Sequence, residues 1–254
     1  MSVELPAWLH PVAEGARQIE GEHLTQFLPP EGSDPRRGAV LMLFGGDPDD
    51  AAAADGPVGD ILLTERAHDM RSHPGQVSFP GGSIDPGETP VEAALREAVE
   101  EIGVDPAGID VFGSLPELWL PPSNFAVTPV LGWWREPSPV RVASPEEVHE
   151  IHRVAIAELV APEHRILVRH PGGWTGPGFL IGDDKDVIVW GFTGGILTRF
   201  FDFLGWLPPV ADPPVHDLPD YMLAEYVRRS ASGRPGDRGA DGLDLLEPDE
   251  EADG

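Results

Sequence analysis

Glu97, Glu100 and Glu101 are spaced i, i+3 and i+4. On a helix this places three carboxylates on one face, within ~100° of arc. Like charges so close repel and cost local stability. A divalent ion that prefers hard oxygen removes that cost, and Mg2+ is commonly held by one or two carboxylates together with substrate phosphates. A plainer reading competes, because a chain with 44 acids has solvated acidic helix faces as a matter of course. Upstream, Arg66, His68, Arg71 and His73 crowd into one short stretch. With Lys+Arg 17 against Asp+Glu 44, the formal charge is −27. Such a chain repels a polyanion and needs a local cationic patch, plus metal, to hold one. Arginine suits phosphate because its planar fork donates two hydrogen bonds.

The elements that must position these residues follow from local signals. A helix is predicted over 90–102: Thr89 can cap it, Pro90 suits its first position and Gly103 can end it. Val91, Leu95, Ala98 and Ile102 form its apolar stripe, read as separate from the acidic face. Strands are predicted at 39–44, 60–66 and 75–80, then near 109–120, 125–134, 151–156, 165–170, 178–182 and 187–190. Helical patterns lie near 7–20, from Ile156, and over 192–206. Mixed strands with few helices fit an α+β fold, an α/β/α sandwich with a mixed sheet, better than alternating βαβ units.

The residues around the glutamates sharpen the reading. Gly82, Glu88, Arg96, Glu97, Glu100, Glu101 and Gly103, with apolar Ala98 and Val104, satisfy G-x5-E-x7-R-E-U-x-E-E-x-G-U, where U is apolar. This resembles the box of the Nudix hydrolases, a loop-helix-loop catalytic motif, and seven fixed residues rarely match by chance. The resemblance implies metal-dependent attack of water on a nucleoside diphosphate linked to another moiety, with Mg2+ or Mn2+. It implies Glu97 and Glu101 as the metal pair, Glu100 as a third ligand, and a backbone oxygen from Gly82 or Gly81. Glu100 or Glu101 would act as base, while Glu88 and Arg96 would brace the loop and Gly103 end the helix. Residues 62–82, LLTERAHDMRSHPGQVSFPGG, resemble the additional motif of the coenzyme A pyrophosphatase branch, L-L-T-x-R-S-x3-R-x3-G-x3-F-P-G-G. Ala67 stands where that branch has Ser, so one hydroxyl contact is lost. Trp190-Gly191-Phe192-Thr193 resembles the branch more weakly. The resemblance implies hydrolysis of coenzyme A or acyl-coenzyme A to 3′,5′-ADP and (acyl-)4′-phosphopantetheine, with Arg66, Arg71 and His73 binding substrate. ADP-ribose, NADH or a dinucleoside polyphosphate is the alternative substrate. A nucleotide-sensing module without catalysis is disfavoured, since the box is intact. Trp119, Trp133, Trp134 and Trp174 could stack a base, but core duty suits each better.

Composition bounds the rest. The acidic balance excludes nucleic-acid binding through a basic surface and disfavours an anionic membrane. Cys is 0, so there is no thiolate nucleophile, disulfide or Cys-bound zinc. The N-terminus lacks a basic, apolar leader pattern. Arg199 and Asp202 interrupt the apolar run 187–210, which reads as a buried helix rather than a span. A cytoplasmic bacterial protein acting on a small molecule is expected, with a homodimer left open. Gly 30 and Pro 29 together are about twice the usual share, so much of the chain is loop. The expected organisation is an N-terminal segment 1–37, a hydrolase domain 38–208 and a Pro-, Asp- and Gly-rich acidic tail 209–254. From about 230 that tail has too little to bury to order itself.

Overall fold

A computed structural model describes residues 4–25, 27, 29, 32–49, 57–70, 72–121, 124–170 and 172–223. In chain order the elements are α1 (His10–Gln18), α2 (Gly21–Leu24), β1 (Arg36–Gly45), β2 (Asp60–Arg66), β3 (Val77–Ser78), β4 (Gly81–Ser83), α3 (Pro90–Ile102), β5 (Ile109–Ser114), β6 (Leu118–Leu120), β7 (Phe125–Trp134), β8 (Val148–Ala155), α4 (Ile156–Val160), β9 (Arg165–Arg169), β10 (Thr175–Ile181), β11 (Val187–Val189), α5 (Gly191–Phe203) and β12 (Val215–Asp217).

The apolar run of β1 is the spine. It pairs parallel with β7 on one edge. On the other edge it pairs antiparallel with β2 at Leu43–Gly45 and with β4 at Gly38–Val40. The order β3-β2-β1-β7-β5, with β8 on β2 and β6 on β7, makes a mixed sheet. Side chains alternate across it. Ala39, Leu41 and Leu43 meet Ala93, Ala94, Ala98 and Ile102 of α3 on one face. Met42 and Phe44 meet Trp8, Leu9 and Val12 from the N-terminus and Ile196, Leu197, Phe200 and Phe201 of α5 on the other. The result is the expected α/β/α sandwich. Beside it, β11-β10-β9-β12 form a second sheet. Phe179 and Ile181 of β10 pack toward the main core, while Ile166 and Val168 of β9 pack with Ile188, Trp190, Leu218 and Met222.

Two packed pieces lie outside the span 38–208. Val215–Asp217 pairs parallel with β9, and Leu218 and Met222 are buried behind it. At the other end Trp8 is buried against Gly46 and Gly59, and its Nε1 donates to Asp47 O at 3.0 Å. Trp8→Ala should therefore cost about 3 kcal/mol or more, read as a fall in the urea midpoint. An unchanged midpoint would show that this segment is not part of the folding unit. The tail beyond 230 lies outside the described residues. Among those described, no helix is long and apolar enough to cross a membrane; most of the apolar run 187–210 is β11 and the packed helix α5.

Candidate functional site

The register of α3 is set by its own ends. Thr89 Oγ1 accepts from Glu92 N at 3.3 Å, and Glu92 Oε2 accepts from Thr89 N at 2.8 Å. This reciprocal pair satisfies two donors that a helix start leaves open. Gly103 closes the helix in the left-handed region, φ 65° and ψ 22°, where a Cβ would be strained.

With that register, Glu97 and Glu101 converge on the backbone of β4. Glu101 Oε2 accepts from Gly81 N at 3.1 Å. The Glu97 carboxylate fills the space that a Cβ on Gly82 would need, so any larger residue there collides with it. The Gly82 carbonyl is turned onto β1, 2.7 Å from where a Cβ on Gly38 would stand. Successive strand carbonyls point opposite ways, so the Gly81 oxygen faces away from β1. Of the two glycines weighed from sequence, Gly82 thus contributes its missing side chain and Gly81 the freer backbone oxygen.

The expectation that the acidic face and the apolar stripe are separate is not met. Glu101 is only 5% exposed. Seven residues after Ala94 and three after Ala98, it lies along their line on the helix, and these small side chains let α3 sit close to the sheet. Burial pushes the Glu101 carboxyl up to about 8; the Gly81 N–H and Arg66 pull it down, while Glu97 and Glu147 push it further up. The Glu97 carboxyl is raised as well, chiefly by burial, against the pull of Arg96 and with Glu100 and Glu147 adding to the rise. Two adjacent carboxyls that resist ionisation mark an excess of negative charge out of water. The all-oxygen donor set fits a hard divalent cation.

Glu100 is placed differently. Its side chain is 57% exposed and lies 3.1 Å from Arg96 Nη1. The same nitrogen is 3.0 Å from Glu97 Oε1. Arg96 also holds Glu88 in a two-pronged pair, Nε to Oε1 at 2.7 Å and Nη2 to Oε2 at 3.0 Å, and donates to Ser83 O at 3.0 Å. Glu88 Oε2 in turn accepts from Asp85 N at 3.0 Å. Arg96 and Glu88 therefore tie the loop before α3 to the helix itself.

Of the four grouped residues, Arg66 acts on the box carboxylates. Its buried Nε has no hydrogen-bond partner among them, and its charge lowers the Glu101 carboxyl. An orphaned buried donor is costly, so this nitrogen is poised for an acceptor from outside. His73 is exposed in the following loop with φ 53°. Arg71 lies outside the described residues. His68 is bound instead to Glu65, Nε2 to Oε1 at 2.6 Å. Glu147 was missed: its carbonyl accepts from Ala67 N at 2.9 Å, and its charge raises both Glu97 and Glu101. Nothing local marks it, since only the pairing of β2 with β8 brings it here. Trp133 and Trp134 are buried, Trp119 Nε1 donates to Asn124 Oδ1 at 3.1 Å, and Trp174 stacks on His170 with centroids 4.6 Å apart.

Residues 47–174 match the NUDIX domain family. The chain is 40% identical over 102 residues to "Nudix hydrolase 3" of Caenorhabditis elegans, covering 39% of this chain and 42% of that one. It is 35% identical over 183 residues to "Nudix hydrolase 15, mitochondrial" of Arabidopsis thaliana, covering 67% and 59%. It is 35% identical over 159 residues to "Uncharacterized Nudix hydrolase NudL" of Cronobacter sakazakii, covering 60% and 79%. The chain thus spans less than two thirds of the length of the first two.

Proposed function

The chain belongs to the Nudix family, and from that premise we propose that it hydrolyses the diphosphate linkage of coenzyme A or acyl-coenzyme A, yielding 3′,5′-ADP and (acyl-)4′-phosphopantetheine. One observation carries the reading: buried Glu101 and half-buried Glu97 meet on the Gly81–Gly82 backbone, near an arginine nitrogen with no hydrogen-bond partner among the described residues. Carboxylates suit a cation, and the arginine suits a phosphate of the substrate.

Glu97 and Glu101 would hold Mg2+ or Mn2+, with the Gly81 carbonyl as backbone ligand and Glu100 as a more exposed third carboxylate. Such an ion, when bound, offsets charge on the diphosphate and acidifies water. Arg96 and Glu88 keep the loop and helix in register, so that Glu97 stays over Gly82. Glu100 is engaged by Arg96. Glu100 or Glu101 would accept the proton of the attacking water. Arg66 would take phosphate oxygens through its open donor, and Arg71 and His73 would extend the cationic edge. The resemblance of residues 62–82 to the additional coenzyme A motif supports coenzyme A as the substrate.

The test is a panel with Mg2+: coenzyme A, acetyl-coenzyme A, NADH, ADP-ribose and a dinucleoside polyphosphate, each followed by product chromatography. Coenzyme A or its acyl form is expected to show the highest kcat/KM and to release 3′,5′-ADP. A higher kcat/KM for ADP-ribose, NADH or the dinucleoside would overturn the substrate, and no turnover of any would overturn the hydrolase reading.

A further inference from the structure

On the opposite face of β2 from Arg66 lies a second cluster that the proposed hydrolysis does not use. Glu65 points to that face by strand alternation and is only 4% exposed. Its two oxygens are divided between two imidazoles: His68 Nε2 is 2.6 Å from Oε1, and His152 Nε2 is 3.2 Å from Oε2. The register shift between Glu65 and Arg66, where β2 meets β8, brings His149 alongside. The His149 ring packs on His68 with centroids 4.2 Å apart. Tyr221 stacks on His68 at 4.3 Å. Potential ligand atoms of Glu65, His68 and His149 all lie within 4.8 Å of one another, and so do those of Glu65, Glu150 and His152.

We propose that Glu65, His68 and His149 bind a borderline transition-metal ion, Zn2+ in the first instance, with His152 holding the second Glu65 oxygen in position. Two imidazoles and one carboxylate are a donor set for Zn2+, with a fourth position left to water. Mg2+ prefers oxygen throughout and is poorly served here. Ligands at about 2.0–2.1 Å on a tetrahedral ion sit roughly 3.4 Å apart. The His68–Glu65 contact must then open by under about 1 Å, which an exposed histidine can do. The ion takes the place of the hydrogen bond between Nε2 and Oε1. His152 matters because a buried ligand carboxylate needs its other oxygen held. The ion would link the end of β2 to the start of β8, and through Tyr221 to the segment after β12. The loop following Arg66 leaves from this point, so the site would stiffen the cationic edge from behind.

The experiment uses the full chain with Glu97→Gln and Glu101→Gln, so that the acidic helix cannot supply the binding, stripped with chelator and titrated with ZnCl2 by calorimetry. One equivalent should bind, and Co2+ should give the visible absorption of a tetrahedral site. Adding His149→Ala, at an exposed position where folding is not at stake, should weaken binding at least ~10²-fold. Adding His152→Ala should weaken it roughly 10- to 100-fold. No Zn2+ binding to the double glutamine variant, or binding untouched by both histidine changes, would overturn the site. The outcome is independent of hydrolysis, since a chain inert toward coenzyme A could still bind this ion.

Discussion

Glu101→Gln is expected to lower kcat at least ~10²-fold while leaving the fold intact. Gln keeps the length of the side chain and an oxygen for the Gly81 N–H. It removes the charge that would hold a cation and the basicity that would accept a proton. The same change should stabilise the metal-free protein, and the pH dependence is diagnostic. The Glu101 carboxyl sits at about 8 when folded and near 4.5 when unfolded. The folded state therefore favours the protonated form, and this group's contribution to wild-type stability is highest below about 4.5. It falls as pH rises through 8, by up to about 1.4 kcal/mol per pH unit in between. Gln has no such titration. Without metal, the melting temperature of the variant should match wild type near pH 4.5 and exceed it above pH 8. Mg2+ should then stabilise wild type more than the variant. Near-wild-type turnover of Glu101→Gln would remove both roles from this residue, and a stability difference that does not grow with pH would mean the carboxylate is not strained by burial.

Much of this geometry was legible because it is encoded locally. The limits of α3 follow from Thr89, Pro90 and Gly103, and the structure starts and ends the helix accordingly. The box glutamates could be placed on one helix, but their burial could not. The stripe of Val91, Leu95, Ala98 and Ile102 drew attention from Ala94, which with Ala98 is small enough to let Glu101 reach the β4 backbone. β4 itself was hidden by Gly81-Gly82, a pair that signals a turn and here pairs with β1. β12 was hidden in a Pro-rich stretch, because a three-residue strand is held by its partner β9 and not by its own propensity. Glu147 and His149 acquire meaning only through the alignment of β8 with β2, a contact between distant parts of the chain. His68 illustrates the converse. Sequence proximity grouped it with Arg66, and strand alternation set its Glu65 partner on the other face.

Arg66→Ala is expected to weaken coenzyme A much more than dephospho-coenzyme A, if the open Nε donor takes the 3′-phosphate. One lost charge-assisted hydrogen bond is worth ~1.5–3 kcal/mol, or roughly 10- to 150-fold in kcat/KM. The 3′-phosphate is remote from the scissile linkage, so the selective loss belongs to that group and not to the chemistry. Arg66 is also near Glu101, and removing it withdraws a cation that lowers that carboxyl. That second effect acts on both substrates alike and is separable as a common factor. Arg66→Lys keeps the charge near Glu101 but lacks the planar fork. It should restore the common factor and only part of the discrimination. Equal losses for both substrates in Arg66→Ala would move Arg66 to the diphosphate and leave the hydrolase reading standing. No loss for either would mean that the buried guanidinium serves folding alone, and the coenzyme A assignment would lose its physical support.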